Sequence, residues 1–241
     1  MEGRTALGCF VRSPDATFAE FVATRGWDFL VFDGEHGSIT PGDVADLARA
    51  CEVRGVTPMV RVPTTERSVV LRCLDGGAGG LHFPWVNDAD EARRAVSYAK
   101  YGPLGTRGLA GNRSTDWSVA PQATANANDN TLVVIQVETR EAVQDIEQIC
   151  AVEGVDVVFV GPSDLSQSLG VPGDFGHPLL VGAMEEVADA VHAAQKVFGL
   201  YAGTPQGAER GIELGARYVA TGVESLLGPA MEAFLSAVSP G

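Results

Sequence analysis

Two carboxylates sit where one cation could be shared. Glu138 closes the apolar run LVVIQV, and Asp164 lies just past a second run, VDVVFVGPS. Both runs are rich in Val and Ile with little polar alternation, as parallel strands buried on both faces require. Between them, TREAVQDIEQICAVEG spaces Ala142, Ile146 and Ile149 at helical intervals and stops at Gly154. Strand, helix, strand is a βαβ unit, and parallel strands bring their C-terminal ends to one rim. Two close carboxylates repel unless a positive charge lies between them, and a divalent cation meets that need. The alternative is a helix-capping Asp164 and a Glu138 paired with an arginine.

Other reactive groups fall at equivalent points. Asp33, Glu35 and His36 follow the run WDFLVF, Arg61 ends PMVRV, Gln136 precedes Glu138 by one strand period, and Ser163 adjoins Asp164. Core packing does not call for polar groups at one end of successive strands. The amides after Gly161-Pro162 are free to meet an anion. Such a set suits an enolate: a 2-keto acid chelates the cation, and the cation and Arg61 stabilise the developing charge. His36, with an ordinary pKa near neutrality, is the proton acceptor. A carboxylate touching its ring would raise its basicity, and Asp33 or Asp75 could supply it.

The positioning elements are eight short apolar runs, at 7–11, 27–33, 58–62, 80–86, 132–138, 155–161, 196–202 and 217–222, alternating with helical segments. This order predicts a single-domain (β/α)8 barrel over 1–241, with a doubly wound sheet as the lesser option. The polar, Gly- and Asn-rich stretch 102–130 reads as one long loop.

A net charge of −14 argues against a nucleic-acid binder, which needs a basic surface. No run of about 18 apolar residues is present to span a membrane, and no signal-peptide core is visible, so the cytoplasm is the expectation. Four scattered cysteines lack metal-ligand spacing and read as reduced, packed thiols.

Taken together, WDFLVFDGEH, MVRVPTTE, LRCLDGGAGG, ARRAVSYAKYGPLGTRG, VVIQVETREAV, EGVDVVFVGPSDLSQSLG and GIELGARYVATGVES resemble the HpcH/HpaI family of class II pyruvate-dependent aldolases. These blocks cover most of the chain, and DGEH, VRVP, QVE and GPSDL in combination are specific. VRVPT and VFVGPSDL are particularly similar to 2-dehydro-3-deoxyglucarate aldolases. The resemblance implies a TIM barrel using Mg²⁺, Mn²⁺ or Co²⁺, and reversible cleavage of a 4-hydroxy-2-oxo acid to pyruvate or hydroxypyruvate and an aldehyde. It assigns the metal to Glu138 and Asp164, the base to His36, transition-state stabilisation to Arg61, and support of the histidine to Asp75. Gln136, Ser163 and Asp164 would contact the keto acid. A homohexamer with its last helix exchanged between neighbours is also implied. Departures gather where the aldehyde should bind: LAGNRSTDWSVAPQ follows Arg107-Gly108, leaving Arg113 and Trp117 as available contacts. His82-Phe83 replaces a plainer aliphatic pair.

Three rivals remain at this stage. A Schiff-base aldolase needs a desolvated lysine on the rim, and only Lys100 and Lys196 exist, neither at a strand's C-terminal end. A decarboxylase or acyl-CoA lyase could use the same enolate on the same scaffold. A non-catalytic keto-acid-binding barrel would need no base.

Overall fold

The structure, a computed structural model, describes residues 4–238. Its eight strands are β1 (Ala6–Val11), β2 (Phe29–Asp33), β3 (Thr57–Arg61), β4 (Gly80–Phe83), β5 (Leu132–Val137), β6 (Val157–Val160), β7 (Val197–Tyr201) and β8 (Tyr218–Gly222). All pair in parallel with their sequence neighbours, and β8 returns to β1, closing the barrel. Each predicted run overlaps one strand, and the doubly wound option is excluded.

Helices α1 (Ala16–Ala23), α2 (Val44–Glu52), α3 (Arg67–Asp75) and α4 (Ala89–Ala99) cover the first half. Their starts follow local chemistry: Asp15 accepts the Phe18 amide at 2.6 Å, and Asp88 accepts that of Glu91 at 2.8 Å. Next come α5 (Pro121–Asn130), α6 (Arg140–Gln144) and α7 (Ile146–Cys150). Then follow α8 (Pro162–Ser168), α9 (Pro178–Ala193), α10 (Pro205–Glu213) and α11 (Val223–Val238).

Two local expectations need correction. The stretch 102–130 is not all loop, because it contains a 3₁₀ turn at Arg113–Thr115 and then α5. Pro121 at the first helical position and alternating alanines favour that helix despite its asparagines. It lies on the surface with only Ala127 buried. The helix expected between β5 and β6 is two short ones broken at Asp145, whose carboxylate leaves the helical path to accept the Ala89 amide at 2.9 Å.

Two apolar layers hold the barrel. Leu30, Phe32, Leu81, Phe83, Ile135 and Val158 face outward under the helices. Phe10, Phe29, Val31, Met59, Val134 and Phe159 fill the interior. Cys9, Cys51, Cys73 and Cys150 are free and buried. Burial pushes the thiols of the first three up to about 12 and that of Cys150 to about 11. Among the described residues no helix is long and apolar enough to cross a membrane.

Candidate active site

Register builds the site. Asp33 and Arg61 are partners at the ends of β2 and β3, and Arg61 is in turn the partner of His82 on β4. Asp33 is fully buried and accepts Arg61 Nε at 2.9 Å and Nη2 at 2.6 Å. The same carboxylate accepts the amides of Glu35 and His36, each at 3.1 Å, which sets the shape of the loop carrying the histidine. Burial acts to raise the Asp33 pKa, but the hydrogen bond and charge of Arg61, with those two amides, outweigh it and hold the group below its ordinary range. Arg61 Nη1 also lies 3.1 Å from Glu35 Oε2, so the guanidinium is held as a fork.

Gln136 on β5 and Glu138 just past its end are two residues apart and share the inward face. Both are almost completely buried. Glu138 Oε1 accepts Gln136 Nε2 at 2.6 Å, and Oε2 accepts the Trp85 amide at 3.1 Å. Trp85 supplies that amide from a left-handed backbone conformation, φ 55°. Gly161 lies against the same carboxylate: a Cβ there would stand 2.6 Å from Glu138 Oε1. Burial pushes the Glu138 pKa up to about 7; the Trp85 amide opposes the rise, and Glu35 and Asp164 add to it. Asp164 sits in the first turn of α8, half-buried, with Ser163 exposed beside it.

His36, Arg61, Gln136, Glu138, Ser163 and Asp164 all line one cavity of about 280 Å³ at the C-terminal mouth. This is the rim the strand order predicts. Asp75 is the exception. It ends α3, where Arg107 Nη2 donates to its carboxylate at 2.7 Å. Among the described residues no hydrogen bond or ion pair joins Asp75 to His36, and Asp33 meets only the histidine's amide. Arg113 is also elsewhere, donating to Glu52 on the barrel flank at 2.7 and 2.9 Å, and neither it nor Trp117 borders the cavity.

Sequence reasoning passed over Arg12, which lines the same cavity with its Nε 3.4 Å from Asp33 Oδ2. Its position just after β1 was the available signal. Both lysines are committed to backbone carbonyls away from the cavity: Lys100 donates to Asn128 at 2.7 Å, and Lys196 to Val155 at 2.7 Å. Neither could form a Schiff base there.

The donor set fits a hard cation. Among the described residues no three His, Cys, Asp or Glu side chains converge on one point. Of the carboxylates lining the cavity, Glu138 and Asp164 feel each other's charge, and such a pair suits Mg²⁺ or Mn²⁺, which keep water or substrate oxygens in their remaining positions. Glu138, burdened by burial and by Asp164, is the kind of group a cation relieves.

That burden is measurable without metal. An unfolded Glu138 ionises near its ordinary 4.5 and the folded one near about 7, so between those values only the unfolded state has lost the proton. Stability of the metal-free chain should therefore fall as pH rises through this window, by a few kcal/mol at about 1.4 kcal/mol per pKa unit. Urea unfolding in EDTA at about pH 5 and about pH 8 should show the fall. Glu138→Gln should remove that part of it, and an unchanged pH slope would contradict the assignment.

A closed parallel barrel with an acid–base and carboxylate set on its C-terminal rim is the layout of a TIM-barrel enzyme, and the relatives of this chain make it an aldolase, a carbon–carbon lyase. The chain belongs to the HpcH/HpaI aldolase/citrate lyase family, whose model matches residues 6–228. A 2-keto-3-deoxy-L-rhamnonate aldolase of Klebsiella pneumoniae is 38% identical over 94% of this chain and 86% of its own. Among solved structures, an HpcH/HpaI aldolase/citrate lyase family protein of Burkholderia cenocepacia superposes with TM-score 0.91 at 34% identity, covering 98% of this chain and 95% of the other. The HpcH/HpaI aldolase of Desulfitobacterium hafniense gives 0.91 at 32%, covering 99% and 95%.

Proposed function

We propose that the chain is a divalent-cation-dependent class II pyruvate aldolase, reversibly cleaving a 4-hydroxy-2-oxo acid to pyruvate, or hydroxypyruvate, and an aldehyde. The observation that carries this reading is the meeting of Glu138, Asp164, Arg61 and His36 on one cavity. Glu138 and Asp164 would hold Mg²⁺, Mn²⁺ or Co²⁺, which when bound supplies the positive charge that favours an enolate. Gln136 and the Ser163 amide orient the keto acid. Arg61 donates to the C2 oxygen as negative charge grows there. His36 takes the proton from the C4 hydroxyl as the C3–C4 bond breaks, and C3 of the enolate then gains a proton to give pyruvate. The sugar-acid relatives support a polyhydroxylated substrate.

We also read the protein as a homo-oligomer, a hexamer by resemblance, in a reducing compartment such as the cytoplasm. In support, α11 leaves Leu226, Met231, Phe234, Leu235 and Val238 exposed. Light scattering should return the mass of six chains.

The deciding test is deuterium exchange into the pyruvate methyl group, followed by NMR with Mn²⁺ and then with excess EDTA. Metal-dependent exchange, with cleavage of a 4-hydroxy-2-oxo acid in a substrate panel, is the expected result. Exchange that EDTA leaves untouched, or a borohydride-trapped pyruvate adduct, would refute the class II reading. Absence of exchange would indicate a binding barrel.

A further inference from the structure

One buried polar side chain lies deeper in the barrel than the groups at its mouth. His82, completely buried, points inward from β4 between the edges of Phe10 and Phe159, at centroid separations of 5.6 and 5.1 Å. Its Nε2 lies 2.9 Å from the hydroxyl of Tyr218 on β8, and its Nδ1 lies 3.2 Å from Gln136 Oε1. Gln136 Nε2 continues to Glu138 Oε1 at 2.6 Å. Four side chains from β4, β5 and β8 thus form one unbroken line from the barrel core to the carboxylate at the mouth.

Only one arrangement of protons satisfies every link. An ionised Glu138 only accepts, so the Gln136 amide must turn its NH₂ toward it. That turns Oε1 toward His82, whose Nδ1 must carry the hydrogen. Nε2 is then the acceptor, and the phenol of Tyr218 donates to it. Burial and the charge of Arg61 push the His82 pKa down to about 3, so the ring stays neutral, as this pattern requires. Burying a histidine and a tyrosine hydroxyl in an aliphatic barrel costs stability that Leu and Phe would not. Nothing in the barrel's closure needs them.

We infer that His82 is a positioning residue for cation binding: with Tyr218 donating to its Nε2, it fixes the Gln136 amide so that Glu138 is presented to the metal in one orientation. This rests on the reading of Glu138 as a metal ligand. Partners of this kind behind a metal ligand typically change affinity by about 10- to 100-fold when removed. Gln136 without its donor is free to turn its carbonyl toward Glu138, where the two oxygens repel.

The test uses Mn²⁺ alone, titrated into the full chain by calorimetry. His82→Leu should weaken binding by about 10- to 100-fold. His82→Asn places an amide N–H where Nδ1–H stood and should recover most of the loss, whereas His82→Gln places it at the Nε2 position and should not. Tyr218→Phe should weaken binding by less, and should add nothing in the His82→Leu background. On the unaltered, metal-free chain at about pH 9, where Glu138 is ionised, ¹⁵N-histidine NMR should show His82 as the Nδ1–H tautomer, a result that does not depend on any variant folding. The inference is overturned if His82→Leu binds Mn²⁺ as tightly as the parent, if Asn fails to rescue, or if the ring carries its proton on Nε2. If instead Glu138→Gln binds Mn²⁺ undiminished, the ligand assignment itself has failed, and this inference falls with it by a separate result.

Discussion

On the proposed reading, Glu138→Ala and Asp164→Ala should each lose metal-dependent turnover, with kcat falling by at least about 10³-fold, the several kcal/mol typical of a catalytic cation. The two variants should differ in stability. Glu138 is buried and held by the Gln136 and Trp85 N–H groups, so its removal strands two donors and leaves a void beside Gly161. Asp164 is half-buried in the first turn of α8, and among the described residues no hydrogen bond or ion pair holds its carboxylate, so its loss should barely move the melting temperature. Mn²⁺ titration alongside steady-state kinetics checks both points. Residual activity in either variant that is still abolished by EDTA would refute its place as a ligand.

Arg61→Lys is expected to retain the barrel and lose about 10²- to 10³-fold in kcat, the usual loss for one donor aimed at a developing oxyanion. A lysine keeps the charge but cannot reach Asp33 twice and Glu35 once, as the guanidinium does. Arg61→Ala should do worse in a second way. It takes from the fully buried Asp33 its two-point partner, leaving the longer Arg12 contact and two amides, and removing one side of comparable buried pairs costs up to about 3–5 kcal/mol. Denaturant unfolding separates the two effects: Lys should show mainly a kinetic deficit, and Ala both. A lysine variant with parent kcat would remove Arg61 from the chemistry.

Strand periodicity made the barrel legible because parallel strands, buried on both faces, leave uninterrupted aliphatic runs. Once those runs were counted, the ends of β2, β3, β5 and β6 located His36, Arg61, Gln136, Glu138, Ser163 and Asp164, which the structure gathers on one cavity, and Asp33, which holds Arg61 from behind. What strand ends cannot reveal is which way a group at a helix end turns. Asp75 closes α3 as expected, yet it meets Arg107 from the following loop, a contact between segments 32 residues apart. The same limit applies to Arg113, whose partner Glu52 lies 61 residues away. His82 was visible only as a polar residue in an apolar run. Its meaning depends on Tyr218, 136 residues later and two strands beyond Gln136's other neighbour, β6, in the closed ring. Helix α5 was missed because asparagines mask the alanines that carry its propensity.

The four sequestered cysteines have a practical consequence. A sulfhydryl attacks alkylating reagents and peroxide as its anion, and at about pH 8 roughly one in ten thousand of Cys9, Cys51 and Cys73 and one in a thousand of Cys150 is ionised. Native cysteines should therefore give almost no background in maleimide labelling of the folded protein. One new cysteine on an exposed turn of α11 would then be a clean attachment point for a fluorophore reporting the surroundings of that helix.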